Sequence, residues 1–75
     1  MLLSSASVGV TYLVASLDAA SPHEQRKLMA LGMVPGTELQ VIQIRPAFVV
    51  ALGYTQLALD RETAALVEVT GVPRQ

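Results

Sequence analysis

The sequence predicts a mainly β fold, a small barrel of about five short strands with one inserted α-helix. Three observations carry this. Short runs rich in β-branched residues recur along the chain, the stretch SPHE is a clear helix start, and glycine or proline separates most of the runs. With 75 residues there is room for one domain, near the lower end of what folds unaided.

The elements follow in order. VTYLVASL, Val10 to Leu17, is uncharged and β-rich, and reads as the first strand. Val10, Tyr12 and Val14 share one face and Leu13, Ala15 and Leu17 the other, and the pattern does not choose the inner one. Ser21 can cap the following helix, Pro22 fits its first position, and Glu24 can complete a capping box. That helix is predicted over Pro22 to Leu31, with Leu28 and Leu31 on one face and Gln25 at its shoulder. His23 and Lys27 point to solvent, and Gly32 can supply the left-handed residue that ends the helix. Pro35-Gly36 is the centre of a type II turn, with proline setting φ and glycine taking the positive φ. TELQVIQIR makes a strand in which Leu39, Val41 and Gln43 alternate with Gln40, Ile42 and Ile44. Further strands are predicted at Phe48 to Leu52 and Thr55 to Leu59, joined through Gly53. Asp60 can cap a helical turn over Arg61 to Ala65, and Leu66 to Thr70 is the last strand before Pro73. One domain spans residues 1–75, with its core over about 10–70. Closure into a barrel removes the edges that a meander leaves open.

Composition narrows the function. There is no cysteine, so neither a disulfide nor a thiolate-bound metal holds the fold, and stability rests on a largely aliphatic core. Hydrophobic residues make up 52% of the chain, more than so short a domain hides, so some apolar surface is expected to meet a partner. A net charge of −1 argues against nucleic acid. The apolar run Ala47 to Gly53 is far shorter than the roughly 20 residues of a membrane span. The MLLSSASVG start has no basic leader, and no signal peptide is expected.

The residues for chemistry are sparse. His23 is the single histidine, the six carboxylates fall where cap or surface duty explains them, and no nucleophile motif is present. No enzyme, cofactor or metal ligand is expected. GMVPG fails as a phosphate loop because its glycines follow a helix and face carbonyls, the wrong polarity for an anion. Met33 and Val34 sit on this short connector, and either pack back as a plug or protrude to a partner.

SPHEQRKLMALGMVPGTELQV followed by QLALDRETAALVEV resembles the bacterial ferrous iron transport protein A family over roughly Val10 to Thr70. The shared features are a helix with a basic residue and leucines, then Leu31-Gly32-Met33-Val34-Pro35-Gly36, Leu57-Ala58-Leu59 and Val67-Glu68-Val69. The resemblance implies an SH3-like barrel with an inserted helix. It also implies a cytoplasmic, non-enzymatic accessory, peripheral to the inner membrane, of the membrane ferrous iron transporter protein B, a permease with a GTP-binding domain. Two departures stand out. The loop after the first central strand keeps only Arg45-Pro46 of a longer family pattern, and Asp60 stands where the family often has arginine. The expected docking surface combines Arg26 and Lys27 with Leu31, Met33 and Val34. The competing readings are a regulatory or metal-responsive domain and a homo-oligomeric structural protein.

Overall fold

The computed structural model describes residues 1–72, so the expected stop at Pro73 lies outside the described residues. Strands β1 (Thr11–Ser16), β2 (Glu38–Gln43), β3 (Phe48–Leu52), β4 (Thr55–Leu59) and β5 (Glu68–Gly71) form one antiparallel sheet in the order β4-β3-β2-β1-β5. Helix α1 (Pro22–Ala30) follows β1, and the single-turn helix α2 (Arg61–Ala64) follows β4. The mainly β barrel with one inserted helix is thus the observed architecture.

Local chemistry sets the ends of α1. Ser21 Oγ accepts the Glu24 N–H at 3.2 Å, and Pro22 occupies the first turn. The capping box is only half made: among the described residues Glu24 returns no bond to Ser21, and Gln25 Nε2 instead donates to the Ala20 carbonyl at 3.0 Å. The helix stops one residue earlier than expected, with Leu31 as its C-cap. Gly32 takes φ +102°, its N–H reaches the Met29 carbonyl at 3.0 Å, and the Met33 N–H reaches Leu28 at 3.0 Å. This pair of bonds is a Schellman motif, which brings an apolar residue just past the helix back onto the last turn. Met33 and Leu28 accordingly both lie in the core.

The Pro35-Gly36 turn has the expected type II form, with the Thr37 N–H bonded to Val34 at 2.9 Å and Gly36 at φ +94°. It is tied sideways as well, since the Gly36 N–H donates to Val14 at 2.7 Å and the Val14 N–H to Thr37 at 2.9 Å. The entry to β2 is therefore clamped against β1.

The sheet resolves the ambiguities of alternation. Tyr12 and Val14 point inward, and the Tyr12 hydroxyl finds a partner in the Ser7 N–H at 2.9 Å. In β2, Leu39 and Val41 are buried while Ile42 is exposed. A register shift between Val41 and Gln43 then inserts a bulge, and Ile44 packs against the core despite its outward parity. The β3–β4 ladder carries no such shift and turns at Gly53-Tyr54. A positive φ of +61° at Gly53 with none at Tyr54 matches a type II′ hairpin.

The barrel is less fully closed than the economical expectation, because β4 and β5 lie at the two ends of the sheet. Residues 1–3 line the β5 side: Leu2 bridges Glu68, and the Leu3 N–H donates to Val67 at 2.8 Å. Leu3 is fully buried, and α2 packs on the short turn Leu3–Ser5. The core therefore reaches beyond the expected span of 10–70. Among the described residues no charged side chain is buried, and the largest fully buried side chains are Phe48, Leu3, Met33 and Leu39.

Candidate functional site

Helix α1 does not lie flush on the barrel along its whole length. Between it and the β4–α2 corner runs a cleft of about 180 Å³. Glu24, Lys27 and Leu31 form the helix wall, at the three- and four-residue spacing that shares one face. Ala58, Asp60 and Thr63 form the opposite wall, and Leu28 and Leu59 line the interior. A second depression continues along α2, where Glu24, Asp60 and Thr63 are joined by Glu62.

Asp60 organises the corner. Its Oδ1 accepts the Thr63 N–H at 2.7 Å and so caps α2. That hydrogen bond, helped by the Thr63 side chain and more weakly by the Lys27 ammonium, holds the Asp60 carboxyl below the usual carboxylate range. The cleft thus presents a fixed anion on one wall and a long-stemmed cation on the other, over an apolar interior. Arg61 also lies over the Phe48 ring, 5.5 Å from its centroid, which pins the start of α2 to β3.

The structure separates the five residues expected to dock. Lys27 and Leu31 line the cleft, and Leu31 is 44% exposed at the helix end. Arg26 is exposed but lies about 100° round the helix from Lys27. Val34 is 39% exposed at the start of the type II turn. Met33 is fully buried, which corrects its place in the expected surface: of the two options for this connector, Met33 takes the plug. The cause is the Schellman geometry at Gly32, which folds Met33 back toward Leu28 and the core. Arg45 lies in the β2–β3 connection, away from the helix sequence, at a cis bond to Pro46. The opposite wall of the cleft was missed, because the cap role of Asp60 says nothing about which helix it faces.

No group of three His, Asp or Glu side chains comes together as a metal-holding cluster among the described residues. No helix among them is long and apolar enough to cross a membrane.

A five-stranded antiparallel barrel with one inserted helix and a cleft at the helix edge defines a small SH3-like domain. The chain belongs to the FeoA domain family, whose model matches residues 1–71. It is similar to the FeoA protein of Chlorobium tepidum, with 32% identity and a TM-score of 0.87 over 97% of this chain and 71% of that one. Iron(II) transport protein A of Clostridium thermocellum is also 32% identical, with a TM-score of 0.86, over 96% of this chain and 46% of that one. The FeoA of Stenotrophomonas maltophilia, solved in complex with zinc, is 28% identical with a TM-score of 0.80, covering 92% and 88% of the two chains. No curated protein sequence matches the chain.

Proposed function

We propose that this protein is a non-enzymatic accessory of bacterial ferrous iron uptake. It docks on the cytoplasmic part of the membrane ferrous iron transporter B protein and regulates or assembles it. The observation that carries the reading is the near-complete overlap with the Stenotrophomonas maltophilia FeoA, described as a candidate ferrous iron transport activating factor. Membership of the FeoA family across residues 1–71 supports the same role.

The surface assigned to docking is the α1 side of the cleft. Leu31 offers half-exposed apolar area next to Lys27, and Arg26 adds a second cation on the open face of the helix. Such an arrangement orients an acidic partner by charge and gains affinity from the leucine. Val34 extends the apolar margin, whereas Met33 acts only through the fold.

The test is capture of the detergent-solubilised transporter by the wild-type protein and by Leu31→Glu and Lys27→Glu variants. The variants should remain folded by circular dichroism, since both side chains are exposed. Leu31→Glu should weaken capture by about tenfold or more, and Lys27→Glu should weaken it most at low salt. Undiminished capture by both would place docking elsewhere. Failure of the wild type to bind at all would remove the partner.

A further inference from the structure

Three turns meet at one end of the barrel. The Schellman turn at Gly32 closes α1, the type II turn at Pro35-Gly36 leads into β2, and the II′ hairpin at Gly53-Tyr54 joins β3 to β4. The first two lie within four residues of each other. The third joins them because Gly32 stands against Leu52, whose Cδ1 is 3.8 Å from where a Cβ on Gly32 would lie. Met33 and Leu52 belong to the core beneath.

What these turns leave outside is apolar and uncharged. Leu31 and Val34 are exposed on either side of Gly32 and Met33, and Tyr54 at the hairpin tip is fully exposed. The segments that carry them, residues 28–37 and 46–59, contain no charged residue. Lys27 precedes the first segment on α1 and Glu38 follows it at the start of β2.

The fold itself gives Tyr54 no task. A II′ turn needs glycine at its first central position and asks nothing of the second. Of the three aromatics in the chain, Tyr12 and Phe48 are buried, and the third stands wholly in water. A tight hairpin holds its backbone, so the ring loses little freedom when a partner covers it.

We propose that Tyr54 is the aromatic anchor of the docking surface, which runs from Leu31 past Gly32 and Val34 to the hairpin tip. The inference rests on the docking reading above and extends it from the α1 wall to the end of the barrel. The partner segment that fits presents an apolar stripe to Leu31, Val34 and Tyr54. It carries a carboxylate at the α1 margin, where Lys27 and Arg26 supply the complementary charge. Charges elsewhere on that segment are refused, because residues 28–37 and 46–59 hold no ion to pair with them.

Tyr54 supplies its own probe. Tetranitromethane nitrates exposed tyrosine rings, the chain has no cysteine to compete, and Tyr12 is buried with its hydroxyl bonded to Ser7. Nitration of the full chain should therefore fall on Tyr54. Mass spectrometry should show it slowed about tenfold by saturating detergent-solubilised transporter. In capture, Tyr54→Ser should weaken binding by about tenfold with an unchanged urea midpoint, and Tyr54→Phe should retain it. Val8→Ser, at an exposed apolar position outside this rim, should bind as the wild type does. Capture that is lost in Leu31→Glu but intact in Tyr54→Ser, with Tyr54 still nitrated in the complex, overturns this inference and leaves the docking reading standing. A wild type that captures nothing overturns both. Protection of Tyr54 in the chain alone at millimolar concentration gives the rim to a second copy. Protection by phosphatidylglycerol vesicles without transporter gives it to a lipid surface, and either result overturns the inference.

Discussion

Met33 shows how a single side chain changes meaning once its surroundings are known. In the sequence it is an apolar residue between glycine and proline, open to either a core or a partner role. In the fold it closes against Leu28 with no exposed surface. Met33→Ala should cost about 2–5 kcal/mol, read from urea denaturation. That is a large part of the about 4–11 kcal/mol expected for 75 residues, so Met33→Asp should not fold. Gly32 is held for a different reason. A Cβ there would meet only Leu52 Cδ1 at 3.8 Å, but φ is +102°. Gly32→Ala should therefore cost about 1–2 kcal/mol from backbone conformation alone. Of the residues assigned to docking, Leu31 was legible as apolar and near the helix end. Its exposure was not, because a helix period cannot show how far the helix overhangs its neighbour.

At the scale of elements, both helices depend on side-chain caps that the sequence announces. Ser21→Ala should lower stability by about 1 kcal/mol without altering the fold by circular dichroism. Asp60 couples the α2 cap to pH. Its carboxyl is held below the ordinary value, so its contribution is complete above about pH 4 and disappears as pH falls through the lowered value. Urea midpoints measured from neutral pH downward should decline in that acid range. Asp60→Asn, which keeps the oxygen acceptor, should make the decline shallower. The strands were less completely legible. Their number and order followed from the turns, but the inward placement of Ile44 required the bulge after Val41, and nothing in an alternating pattern marks a bulge.

At the scale of the molecule, the chain segment before β1 is part of the barrel. Leu3 is buried beneath α2, and its N–H holds Val67. Leu3→Ala should cost about 2–5 kcal/mol, comparable with a mid-core truncation, whereas Val8→Ala at an exposed position should be nearly neutral. The prediction is checked by the same denaturation series. Such coupling of distant segments is what a small domain without disulfides must use, since its core has to recruit every available apolar side chain.

The sequence by itself determined the local events: the Ser21 and Asp60 caps, the Gly32 stop, the Pro35-Gly36 turn and the count of strands. Each depends on residues within a few positions of one another, where spacing and dihedral preference suffice. The family resemblance was likewise carried by ordered local motifs. Only the tertiary structure decided that Met33 is core, that Leu3 closes the barrel, and that Lys27 and Leu31 face Asp60 across a cleft. The last two bring together residues some 30 or more positions apart. Their geometry follows from how α1 and the curled sheet share one apolar core, a compromise among all the contacts at once that no single stretch of sequence contains.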